Sequence, residues 1–181
     1  MQNSSLNLRC LLQVGLFAAL TAVLSFVRIP LPFSPVPITG QTLGTMLAGL
    51  LLGSWAGALS QLIYVLVGLS GLPVFGGMAG PAVLAGPTGG YLVGMICGAF
   101  VVGALRGNTE QALRMFAGCL VGGILVVYIF GVWWLSRVAG LNLTAAVMSG
   151  AVPYLPGDVL KSLAAVGLAL RLRPIMRSMN L

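Results

Sequence analysis

The sequence predicts an all-α integral membrane protein, a compact bundle of six transmembrane helices with both termini cytoplasmic. Three observations carry this. Of 181 residues, 59% are apolar and only 6% charged, whereas an ordinary soluble domain is about 25% charged. Such a chain lacks the polar surface that keeps a protein dispersed in water. Charge is also missing over long stretches, namely 10–27, 29–105, 115–136 and 138–157. About 20 apolar residues cross a hydrocarbon core of about 30 Å, so the 77 uncharged positions of 29–105 hold three spans. Finally, most basic residues sit at the ends of these runs, where membrane topology places them. A single domain, 1–181, accounts for the length.

The elements follow from where glycine and proline interrupt the apolar runs. The first span covers about 9–27, between Arg9 and Arg28. No small-residue cleavage site follows a short apolar segment, so it reads as a retained helix and not a signal peptide. Pro30, Pro32, Pro35 and Pro37 make Arg28 to Ile38 a loop, since proline there breaks any helix. The second and third spans, about 39–53 and 55–70, turn at Gly53-Ser54-Trp55. Gly71 to Pro87 holds Pro73, Pro81 and five glycines and reads as a long irregular loop. Thr88, after Pro87, is a good N-cap for the fourth span, 88–106. Glu110 reads as a solvated charge in the next loop, before the fifth span at 112–136. A helical turn near 143–151 precedes the sixth, 156–173.

With the N-terminus in the cytoplasm, Arg9, Arg106, Arg114, Arg171, Arg173 and Arg177 lie inside, and Arg28 and Arg137 outside. Six against two satisfies the positive-inside rule. The expected location is a cell membrane crossed several times, with the loops 28–38 and 71–87 facing outward.

Several function classes are excluded. Histidine is absent and the three cysteines, Cys10, Cys97 and Cys119, are scattered through helices. Neither a zinc site nor a disulfide framework fits that set. Two acidic residues in all leave no oxygen-ligand metal site and no paired-carboxylate hydrolase. No metal, no cofactor and no catalytic centre are expected. The net charge of +7 comes without interleaved aromatics, so no nucleic-acid partner is expected. GGMAGPAVLAGPTGG lacks the Lys-Ser/Thr ending and the preceding strand of a phosphate loop.

Glycine is abundant, with 26 residues and nine pairs spaced four apart. Small residues at that spacing let helix backbones approach closely in lipid, and packing within one bundle explains most of them. In the first span, Gly15, Ala18, Ala19, Ala22 and Ser25 form a small-residue stripe. It fits either packing within the chain or docking of another membrane subunit.

Asp158 and Lys161 stand apart. Counting back from Arg171 at about 1.5 Å per residue puts Lys161 roughly 15 Å deep, with Asp158 one turn further out. At i, i+3 the two share a helix face and can pair. A charge at that depth costs about 2.5–3.5 kcal/mol on insertion scales and marks a substrate or ion site more often than a clamp. The spans beginning near Thr39, Thr88 and Gly157 also point their N-termini outward, offering free N–H groups to an anion. The residues thus suggest an outward-facing pocket with one carboxylate, one ammonium, backbone donors and apolar walls.

VPITGQT (36–42), GLPVFGG (71–77), GPTGGYLVG (86–94) and PYLPGDVLK (153–161) resemble the BioY family. These are the biotin-specific substrate-binding subunits, or S components, of energy-coupling factor vitamin transporters. The resemblance covers nearly the whole chain, though 114–150 adds little beyond hydropathy. It implies high-affinity biotin binding from outside. It also implies ATP-driven uptake with a transmembrane coupling subunit and two cytoplasmic ATPases, and no enzyme activity of the chain itself. It tilts the stripe Gly15, Ala18, Ala19 and Ala22 toward docking on the coupling subunit. Tyr154 departs from the family's more frequent phenylalanine, adding a hydroxyl near the pocket. Biotin suits the residues: Asp158 can accept from a ureido N–H, and Lys161 can donate to the ureido carbonyl or neutralise the carboxylate. Gln41, Thr42, Thr88 and Tyr91 can supply neutral hydrogen bonds, Phe75 can cover the apolar ring, and Gly86 opens the GPTGGY motif. Two alternatives stay open at this point. One is a self-sufficient secondary transporter coupled to protons or sodium, with Asp158 as ion carrier. The other is a membrane partner with no ligand.

Overall fold

The computed structural model describes residues 8–107 and 111–178; Glu110 lies outside them. Helix α1 runs Leu8–Ser25. Two short strands, β1 (Arg28–Ile29) and β2 (Ile38–Thr39), pair antiparallel with Arg28 opposite Thr39. Helices α2 (Gln41–Leu52) and α3 (Ser54–Leu69) follow. A five-residue helix α4 (Pro81–Ala85) leads into α5 (Gly89–Arg106). Helix α6 (Ala112–Gly118) continues through a π-helical stretch, Cys119–Val126, into α7 (Val127–Val138). Helix α8 (Leu143–Gly150) and a 3₁₀ turn (Val152–Tyr154) precede α9 (Leu155–Ser178).

Three stretches are long and apolar enough to cross a membrane, Leu8–Ser25, Gly89–Arg106 and Ala112–Val138. Helices α2 and α3 are shorter apolar helices. The expected second span begins two residues late, at Gln41. Its twelve residues rise only about 18 Å, and the β1–β2 hairpin precedes it. The prolines between the strands prevent the helix from extending backwards. The loop 71–87 is likewise less irregular than its composition suggests. Pro81, at the first helical position, starts α4, because its missing N–H is not needed there. The last helix continues through Pro174 to Ser178.

The bundle is apolar inside and out. Leu16, Val23, Ile129, Trp133, Leu160 and Leu163 are all more than half exposed, as suits surfaces facing hydrocarbon. Helix α5 is the central element, packed on α2, α3, α7 and the π-helical stretch. Its glycines set the distance. A Cβ at Gly98 would lie 2.6 Å from the Gly122 carbonyl, and one at Gly122 2.6 Å from the Gly98 carbonyl. Backbone meets backbone there with no room for a methyl group, which is the packing that the four-residue glycine spacing implies. At the turn before α3, Gly53 has φ +91°, a conformation side chains resist.

The main core joins Phe17, Met46, Leu50, Val102, Met115, Ala165 and Ala169. It fills the half of the bundle toward Arg106, Arg114 and Arg171. The other half, where α2, α5 and α9 begin, contains a cavity with a mixed polar and apolar lining. Under the orientation expected from the sequence, with six basic residues inside, this half would face outward. A reporter active only in the periplasm, fused after Leu181 (outside the described residues), is expected to give no signal; strong activity there overturns the orientation.

Candidate functional site

Asp158 lies in the first turn of α9 with its side chain 3% exposed. A carboxylate so deeply buried needs most of its lone pairs filled, and the neighbouring helices supply donors. Thr42 Oγ1, from α2, donates to Oδ1 at 2.8 Å. Lys161 Nζ, one turn along α9, donates to the same oxygen at 2.8 Å. Tyr128 Oη, from α7, donates to Oδ2 at 2.5 Å. Lys161 Nζ further donates to the Thr39 carbonyl at 2.6 Å and to Thr42 Oγ1 at 3.1 Å. All three ammonium hydrogens are therefore used, and α2, α7 and α9 meet at one charged cluster.

The cluster floors a cavity that opens to the surface. Its walls include Val36, Leu92, Met95 and Val127, with Met78 and Arg28 among the lining residues. Gln41 is held on both sides. Its Oε1 accepts from Thr39 Oγ1 at 2.7 Å and its Nε2 donates to Tyr64 Oη at 2.6 Å. Tyr64 passes the bond to the Val74 carbonyl at 3.0 Å. The loop after α3 is thereby tied to α2. Ser25 Oγ, from α1, lies 2.6 Å from the same carbonyl and accepts the Gly76 N–H at 3.0 Å.

The loop tip is a two-residue hairpin. Phe75 and Met78 exchange backbone hydrogen bonds around Gly76-Gly77, whose φ values of +63° and +88° are those of the tight turn that glycine pairs favour. This turn drives Phe75 inward. It is 4% exposed, stands edge-on to Tyr64 with ring centroids 5.5 Å apart, and occupies the space a side chain at Gly68 would fill.

Seven residues singled out in the sequence, Asp158, Lys161, Gln41, Thr42, Phe75, Thr88 and Tyr91, line this one cavity. Gly86 is not among the lining residues; its carbonyl accepts from Trp134 Nε1 at 2.9 Å and joins α4 to α7. Thr88 does not cap α5 with its side chain. Its backbone is already helical, at φ −88° and ψ −10°, and its carbonyl accepts from the Tyr91 and Leu92 N–H groups. Tyr91 donates to the Gly150 carbonyl at 2.7 Å and so braces α8. Tyr154 approaches Ser34 at 2.7 Å and also bonds the Val36 carbonyl. Burial raises its phenol above the ordinary value, with the Ser34 bond opposing, so the hydroxyl stays a donor that pins the 30–37 loop. Tyr128 and Arg28 escaped the sequence reading as site residues. Tyr128 sits in a featureless apolar run, and Arg28 serves there only as a topology marker.

The α1 stripe divides. Ala18 and Ser25 are buried, Ala22 is half-buried, and Gly15 and Ala19 are exposed. Small residues along one arc of a helix cannot tell which part of the arc turns inward. The cysteines are free thiols; Cys119 is buried and Cys10 and Cys97 half-buried.

The model of the BioY family matches residues 1–178. A protein of Rhizobium etli named biotin transporter BioY is 43% identical over 170 residues, covering 88% of this chain and 90% of that protein. One of Thermotoga maritima with the same name is 38% identical, covering 93% and 98%. A crystal structure at 2.1 Å, described as the S-component for biotin from an ECF-type ABC transporter, superposes with a TM-score of 0.88. It is 30% identical and the match covers 96% of this chain and 95% of that one.

Proposed function

The chain belongs to the BioY family, and from that premise we propose that it is the biotin-binding membrane subunit of an ATP-driven energy-coupling factor transporter. The observation that carries the binding reading is the Asp158 cluster. A buried carboxylate, fixed by Thr42, Lys161 and Tyr128, floors a cavity with apolar walls. Pockets with a few convergent polar groups among apolar side chains are the usual form of a small-molecule site. The fused ring of biotin is apolar, and its ureido group brings N–H donors that a carboxylate accepts. Two further polar groups converge there, Gln41 and Thr88, both lining the cavity.

The energising partners in this reading are a transmembrane coupling subunit and two cytoplasmic ATPases. The sequence carries no phosphate loop of its own. The exposed part of the α1 stripe, Gly15 and Ala19, is the surface such a coupling subunit would meet. A titration of the purified chain with biotin tests the reading. Saturable binding with one site per chain is expected, and no binding at millimolar biotin rejects it.

The 71–80 loop closes over the bound ligand in this reading. Met78 lines the cavity and is 37% exposed. A thiol label at Met78→Cys is expected to react several-fold more slowly at saturating biotin. An unchanged rate rejects the lid.

A further inference from the structure

The hydrogen bonds at the cavity floor also decide which way a ligand lies, given the biotin-binding reading above, on which this inference rests. Lys161 has three N–H donors. They go to Asp158 Oδ1, the Thr39 carbonyl and Thr42 Oγ1, at 2.8, 2.6 and 3.1 Å. Thr42 spends its own proton on Asp158. Tyr128 does the same, and Tyr91 donates to Gly150. The floor therefore has no spare cationic donor. What it does present is Asp158 Oδ2, which receives Tyr128 alone among the described residues and can accept again. An anionic group placed there would meet a carboxylate whose cation is already engaged. A neutral N–H donor would be welcomed.

Among the described residues, Arg28 is the one other cation lining the cavity besides Lys161. It sits on β1, opposite Thr39, and is exposed. Its guanidinium carries five N–H donors and makes one long bond, 3.3 Å from Nη1 to the Gly76 carbonyl. Among the described residues Asp158 is the one acidic side chain, and it pairs with Lys161, so no carboxylate of those residues neutralises Arg28. The same short hairpin thus holds both ends of the site: Thr39 orients Lys161 at the floor, and Arg28 stands at the rim beside the Gly76-Gly77 tip.

We propose that Arg28 receives the ligand's carboxylate at the rim of the cavity, with the ureido ring inward against Asp158. A planar guanidinium suits a carboxylate in a two-pronged contact. In this arrangement Lys161 is a positioning residue, which holds Asp158 and the β2–α2 junction without touching the ligand. Because Arg28 also touches Gly76, a bound carboxylate bridges the hairpin to the loop that carries Phe75.

Biotin and its primary amide, which lacks the negative charge, separate the roles when titrated against purified wild type, Arg28→Gln and Asp158→Asn. Wild type is expected to prefer biotin to the amide by about 1.5- to 5-fold, the range of an exposed charge pair. Arg28→Gln is expected to erase that preference by weakening biotin alone, and Arg28→Lys to restore part of it. Asp158→Asn is expected to weaken both ligands by the same factor. Raising ionic strength should weaken biotin binding in wild type but not in Arg28→Gln, as an exposed pair requires. An equal loss of both ligands in Arg28→Gln makes Arg28 a loop support and overturns the proposal. Unchanged preference in Arg28→Gln also overturns it, by leaving the carboxylate to Lys161. Failure of wild type to bind either ligand rejects the biotin reading itself, and this inference falls with it.

Discussion

Asp158→Asn is expected to lower biotin affinity by about 10- to 150-fold, the equivalent of a charged hydrogen bond worth about 1.5–3 kcal/mol. The amide keeps the size of the carboxylate but replaces one acceptor oxygen with a donor. Whichever way it turns, its NH₂ group faces a donor, either Tyr128 Oη on one side or Thr42 and Lys161 on the other. Lys161→Met keeps most of the apolar stem and removes three bonds at once. It should also weaken binding, because Asp158 and the Thr39 carbonyl lose the group that holds them in place. The double variant separates a ligand contact from a clamp. If the pair only fixes α9 against α2, removing both charges leaves no buried unpaired ion, and affinity returns close to wild type. If Asp158 reads the ligand, the double variant binds as poorly as Asp158→Asn. Retained insertion and elution volume in detergent confirm that each protein is folded. Near-native affinity in the double variant sinks the site assignment.

If the proposed coupling subunit docks on α1, Ala19→Trp is expected to abolish biotin uptake in cells, while the purified chain still binds biotin within about twofold. Ala19 is exposed on α1, beside Gly15 on the same arc. An indole there adds bulk on the outer surface and displaces nothing inside. Ala18→Trp is the contrasting case. Ala18 is 6% exposed and packs with Tyr64, Phe75 and Leu92. Overpacking of that kind costs about 1–3 kcal/mol or more and should disturb the loop that carries Phe75, so binding and uptake fall together. Wild-type uptake with Ala19→Trp would remove the docking role from this face of α1.

Much of this was legible along the chain. Uncharged runs, cut by glycine and proline, located the long helices to within a few residues, whereas the five-residue α4 fell in what read as an irregular loop. Pro30, Pro32, Pro35 and Pro37 marked the break before α2, since proline acts on its own turn of backbone. Asp158 and Lys161 stood out as ionisable residues at bilayer depth, and their i, i+3 spacing forecast the contact now seen at 2.8 Å. Other features had no local trace. Nothing near Tyr128 distinguishes it from the apolar residues of its helix, and its bond to Asp158 joins positions 30 apart. Thr88 had the sequence of a cap, but its backbone had already turned helical.

The sequence by itself determined that this is a membrane bundle, where its helices break, and which two charges pair, because each depends on residues within a turn or two of one another. Only the tertiary structure decided which arc of α1 faces inward, that Lys161 has no donor left, and that Arg28 shares a cavity with Asp158. Those outcomes depend on the rotation of whole helices and on bonds between distant segments, such as Lys161 to Thr39 across 122 positions. No period or spacing in the chain encodes them, because they are settled by how close-packed backbones meet at glycine and by which buried polar group finds which partner.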